Sequence, residues 1–122
     1  MFVVFTHLVL RWHFLMSNSS LRLTPFEIES LKNLFKMFFA KEDHLWIFGS
    51  RTDPQKKGGD IDLYVETSIS DVREINQAKI SFLTELYYKI GEQKIDVVIH
   101  RISSSSSLPI YEIAREEGFQ LV

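Results

Sequence analysis

The chain has 122 residues, 45% of them hydrophobic, no cysteine and a formal net charge of -2. That length and composition predict one domain with a core of its own, without disulfides or thiol chemistry, in a reducing cytoplasm. The lack of a basic excess argues against a protein that coats nucleic acid. A small anionic ligand held by local groups and a metal stays open.

Residues 1–15, MFVVFTHLVLRWHFL, are apolar and aromatic. They show neither the basic start nor the small-residue cleavage site of a signal peptide, and they fall short of the ~20 residues of a membrane-spanning helix. We read Met16 as the natural start, with 1–15 as upstream translated sequence; the alternative is an extra strand or a helix covering an apolar face. Residues 16–122 then form the single domain.

Thr24-Pro25-Phe26-Glu27 predicts a helix start, with a capping threonine, proline in the first turn and glutamate closing a capping box. Ile28, Leu31, Leu34, Phe35 and Phe38 share one face of this helix, which should end near Ala40. Leu45 to Phe48 reads as a short buried strand. Asp60 to Glu66 alternates, with Ile61, Leu63 and Val65 on one face and Asp60, Asp62, Tyr64 and Glu66 on the other. Ser68 or Ser70 is expected to open a long helix, whose stripe is Val72, Ile75, Phe82, Leu83, Leu86, Tyr87 and Ile90 and whose stop is Gly91. Lys94 to His100 is a third strand, followed by a serine-rich loop. A short helix from Pro109 ends before Gly118, and FQLV supplies a last strand. The second strand, long helix and third strand make a β-α-β unit, so those strands run parallel. The first and second strands are joined by too few residues for a crossover and should be antiparallel. The expected class is α/β (α+β), a mixed sheet flanked by helices.

The stretch FGSR, followed by GGDIDLYVE, carries the chemistry. Asp60 and Asp62 are two residues apart on a strand and project from one face, about 7 Å apart. If the third strand pairs beside them, Asp96 stands about 5 Å to the side. Three carboxylates so placed raise one another's pKa values, and a divalent cation relieves the repulsion. Mg²⁺ takes a few carboxylates and keeps its other positions for water and phosphate oxygens; two ions about 4 Å apart can hold both oxygens of a displacement at phosphorus. Gly49 permits close backbone approach. The N–H groups after it, the Ser50 hydroxyl and the Arg51 guanidinium can cradle phosphate. Lys56 and Lys57 read as a solvated loop tip, and Gly58-Gly59 as the turn into Asp60. His7, His13, His44 and His100 form no zinc spacing; His100 reads as structural or solvated. Trp46 reads as core, and Tyr64, on the acidic face, has the better claim to border a nucleobase.

FGSR, GGDIDLYVE and KIDVVI together resemble the minimal nucleotidyltransferases of the polymerase-beta-like superfamily, over roughly Leu21 to Val122. The spacer from Ser50 to Asp60 is at the short edge of that pattern, and Gly59 stands where many members carry serine. The resemblance implies the polymerase-beta-like fold and transfer of NMP from an NTP, ATP foremost, to an acceptor hydroxyl with release of pyrophosphate. It implies that Gly49 and Ser50 bind the phosphates of the nucleotide, and Arg51 is read beside them as a charged donor. Asp60 and Asp62 would bind both Mg²⁺ ions, and Asp96 would complete the catalytic metal site and help deprotonate the acceptor. Minimal members typically pair with a helical HEPN protein, and some are antitoxins that adenylylate a tyrosine of that toxin. Such a cytoplasmic toxin–antitoxin role is the leading expectation, with exposed apolar residues as the docking surface and a homo-oligomer left open. The alternative is a non-catalytic module that neutralises a HEPN partner by occlusion. Transfer to RNA or to a small aminoglycoside-like compound ranks third, because the chain shows no second domain to bind such an acceptor.

Overall fold

The computed structural model describes residues 22–49 and 60–122. The capping box forms as the sequence predicts: Glu27 N–H donates to Thr24 Oγ1 and Thr24 N–H donates to Glu27 Oε1, opening helix α1, Pro25–Phe38. Next come β1 (His44–Phe48), β2 (Ile61–Thr67), α2 (Val72–Ile90), β3 (Ile95–Arg101), α3 (Pro109–Glu117) and β4 (Phe119–Gln120). The sheet order is β3-β2-β1-β4. As expected, β1 and β2 are antiparallel and β2 and β3 parallel; β4 adds an antiparallel edge to β1. The architecture is mixed α/β, with helices on both faces of a mixed sheet.

The period-two pattern of the strands sorts their side chains onto two unlike faces. Leu45, Ile47, Ile61, Leu63 and Val65 join Leu31, Phe35, Phe82 and Leu86 in the main core. Phe35 stacks on Phe39 at 4.7 Å between ring centroids, and Phe82 meets both rings edge-on. On the opposite face Trp46 and Tyr64 pack with Tyr111 and Ala114 of α3, so Trp46 is core, in a second cluster.

The start of α2 differs from expectation. Asp71, not Ser68 or Ser70, caps it, accepting from the N–H of Arg73. Ser68 is engaged elsewhere: its N–H and hydroxyl both reach Asp43 Oδ1. Asp43 is only 2% exposed and also accepts from the Thr67 hydroxyl and the Ala40 N–H, so its burial is satisfied by hydrogen bonds. Val72 and Tyr87, expected in the buried stripe, are exposed; the stripe that packs is Ile75, Ala78, Phe82 and Leu86. No helix among the described residues is long and apolar enough to cross a membrane. The apolar run at residues 1–15 lies outside the described residues.

Candidate active site

Strand β1 ends at Phe48 and the chain passes into Gly49, whose φ is +77°. Only glycine takes that region without steric cost. The register places Phe48 opposite Asp62 and Asp62 beside Asp96. These three side chains stand in a row across three strands, on the sheet face that α3 covers further along. The lateral placement of Asp96 beside Asp62 is the one the strand pattern predicts.

Gly49 and Asp62 are in intimate contact. A Cβ built on residue 49 would overlap Asp62 Oδ2 and crowd the rest of that carboxyl group. The Asp62 carboxylate therefore fills the space that any other residue at 49 would claim. Its pKa lies above the ordinary carboxylate value, first because burial disfavours the charge and then because Asp96 and Asp60 repel it; Lys94 acts in the opposite sense.

Asp60 sits one residue before β2, and Lys94 one residue before β3. The Ile61 N–H donates to the Lys94 carbonyl at 2.9 Å, bringing the two strand starts together. Lys94 Nζ then lies 3.6 Å from Asp60 Oδ2. Lys94 was not among the predicted site residues. Its signal was in the sequence: it shares Asp96's parity and carries the opposite charge.

The donor chemistry suits Mg²⁺. The groups are hard carboxylate oxygens, the backbone beside Asp62 carries no Cβ, and the mutual repulsion at Asp62 is of the kind a cation relieves. Among the described residues no three His, Cys, Asp or Glu side chains converge as a ready-made cluster. The register aligns Asp62 with Asp96, whereas Asp60 is turned toward Lys94. Ser50, Arg51, Lys56, Lys57, Gly58 and Gly59 lie outside the described residues.

Tyr64 does not border an open base site. It is fully buried beneath α3, and its hydroxyl donates to Glu66 Oε2 at 2.7 Å. Burial and that hydrogen bond raise its pKa. Because Tyr64 donates to Glu66, the 3.1 Å contact with His100 Nδ1 is satisfied when Nδ1 carries the proton. His100 also stacks on Tyr111 at 4.1 Å, and Arg115 Nε stands 3.6 Å from Glu66. His100 is thus structural on its Nδ1 side, as expected. Alternation gave Tyr64 the right face, but α3 decides what covers it.

Comparison with protein-family models and with curated proteins finds no match to this sequence. The likeness to minimal nucleotidyltransferases rests on the residues themselves.

Proposed function

We propose that the chain is a Mg²⁺-dependent nucleotidyltransferase that moves AMP from ATP to an acceptor hydroxyl. The observation that carries this reading is the Asp62 carboxylate held against the Cβ-free Gly49, with Asp96 beside it in register. A glycine at that point lets the Asp62 carboxylate lie against the backbone, which an ordinary solvated strand end does not require.

In this reading the acceptor oxygen forms a bond to the α-phosphorus while the bond from that phosphorus to the α,β-bridging oxygen breaks. Pyrophosphate leaves with the electron pair. Asp96 takes the hydroxyl proton and passes it to solvent. Asp60, Asp62 and Asp96 would hold Mg²⁺, which when bound supplies charge neutralisation at the transferring group. Gly49 leaves room for the Asp62 carboxylate, and Ser50 and Arg51 are assigned to the phosphates. Positioning and charge complementarity are the main needs of phosphoryl chemistry.

The acceptor we propose is a tyrosine of a helical HEPN partner, in a cytoplasmic toxin–antitoxin pair. The support is the resemblance of the motifs. The test uses α-phosphate-labelled ATP and Mg²⁺ with the full chain in a lysate of its source, beside Asp62→Asn and Asp96→Asn. A labelled macromolecule seen with wild type and lost in both variants is expected. If folded wild-type protein transfers no label from any NTP yet still suppresses a HEPN partner, the occlusion module replaces this reading.

A further inference from the structure

We infer that the cavity between the first two turns of α2 and the end of β3 binds a small organic anion. The charged group of that ligand meets Arg101 and Lys79, and its apolar body lies on Val72, Ile75 and Ile99. The site is separate from the acidic row. Arg101 is the last residue of β3 and Asp96 the second, so the two stand about 16 Å apart along the strand. The inference rests on this cavity and is independent of nucleotidyl transfer.

The charge of the cavity runs against that of the chain. The sequence has 16 Asp and Glu against 14 Lys and Arg, yet no acidic residue lines this space of about 480 Å³. Lys32, Lys94 and Arg115 each lie within 4.0 Å of a carboxylate; among the described residues Lys79 and Arg101 do not. The positions one helical turn from Lys79 are Ile75, Asn76, Phe82 and Leu83, so the helix offers it no neighbouring acid. Both Lys79 and Arg101 are nevertheless half-buried, and a charge drawn away from water gains from a counter-ion.

Arg101 is held in place without being neutralised. Its Nη1 donates to the Ser70 carbonyl at 2.9 Å, which ties the end of β3 to the segment before α2. That bond uses one of the five guanidinium N–H groups. The rest are left for an anion, and the planar fork suits carboxylate or phosphate oxygens. Asn76, Ser104 and Ser106 add uncharged donors to the lining. Ser104 Oγ accepts from the Ser106 N–H at 3.2 Å, which leaves its own hydroxyl proton to donate.

The rest of the lining suits an apolar body. Val72 and Ile75 come from α2, Val97 and Ile99 from β3, and Leu108 from the loop before α3. Val72 and Leu108 are 55% and 50% exposed, so a ligand covers apolar surface that the fold leaves bare. The His100 ring, stacked on Tyr111 at 4.1 Å, forms the wall on the α3 side. An inorganic ion would leave the apolar walls wet, and an uncharged ligand would leave two half-buried cations unpaired. Apolar walls with a few polar groups in a space of this size are the make-up of a small-molecule site.

Phenyl phosphate is the probe, with inorganic phosphate and benzyl alcohol as its charged and apolar halves. The isotope-labelled full chain is titrated with each, without added divalent metal, and amide shifts are followed by NMR. We expect phenyl phosphate to shift the amides of Asn76, Ile99, Arg101 and Ser104 saturably and to leave those of Asp62 and Asp96 unmoved. It should bind at least ~10-fold more tightly than either half. Lys79→Met, which breaks no hydrogen bond among the described residues, should weaken binding at least ~5-fold, and so should Arg101→Met. Lys79→Arg should retain it. Circular dichroism shows that the variants remain folded. If wild type gives no saturable shift at these residues, or if Lys79→Met binds phenyl phosphate as tightly as wild type, the proposal is overturned.

Discussion

The carboxylate of Asp62 occupies the space in which a Cβ of residue 49 would stand. Gly49 also has a positive φ, so two demands fall on one residue. Gly49→Ala meets both: about 1–2 kcal/mol for an L-residue in that backbone region, and displacement of Asp62. Gly91→Ala meets only the first, because Gly91 has φ +84° with nothing within 4 Å of an added Cβ. Both variants should lose stability in urea denaturation. Only Gly49→Ala should lose transfer activity, by at least ~100-fold if Asp62 moves by an ångström. Equal activity in the two variants would remove Gly49 from the site.

Asp62 should cost the fold stability at neutral pH. Its pKa is higher in the native state than in the unfolded chain, so the native state binds more protons between the two values and stability falls as pH rises through them. Asp62→Asn should therefore melt above wild type at pH 7. The gap should close as pH falls below the ordinary carboxylate value of about 3.9. Mg²⁺ should raise the melting temperature of wild type and leave Asp62→Asn unmoved, since a ligand stabilises only the state that binds it. Thermal scans over pH and Mg²⁺ check both; an Asp62→Asn variant that melts lower at pH 7 contradicts the assignment.

Tyr64→Phe should separate the two ends of the acidic face. It removes a hydroxyl that Glu66 and His100 both use, leaving two polar groups short of a partner at a cost of about 1–2 kcal/mol. Nucleotide binding, measured by calorimetry with ATP and Mg²⁺, should be unchanged. A weakened ATP affinity in a stably folded variant would return Tyr64 to the nucleotide site.

Asp43 is the buried acid that ties the start of β1 to the end of β2. Asp43→Ala strands the Thr67 hydroxyl and the N–H groups of Ala40 and Ser68. The expected loss is about 2–3 kcal/mol in urea denaturation, with no effect on Mg²⁺ binding. A loss below about 0.5 kcal/mol would show that water replaces the carboxylate there.

The sequence by itself determined the order of helices and strands, the mixed pairing and the parity of the acids. Those features depend on short-range rules: the Thr24 capping box, strict alternation in β2, and a β-α-β crossover that forces parallel strands. The same alternation placed Asp62 and Asp96 on one face, and pairing of β2 with β3 then set them side by side. Tertiary structure decided what each face meets. Helix α3 folds back over Tyr64 and withdraws it from solvent, while Lys94 swings to Asp60 because two strand starts converge. Val72 and Tyr87 match the apolar period of α2, yet they are exposed, because periodicity fixes an angle around a helix axis and says nothing of what stands there. The space at Gly49 belongs to the same class. A glycine can be read from the chain, but its carboxylate neighbour arrives from another strand, and only the folded sheet brings the two into contact.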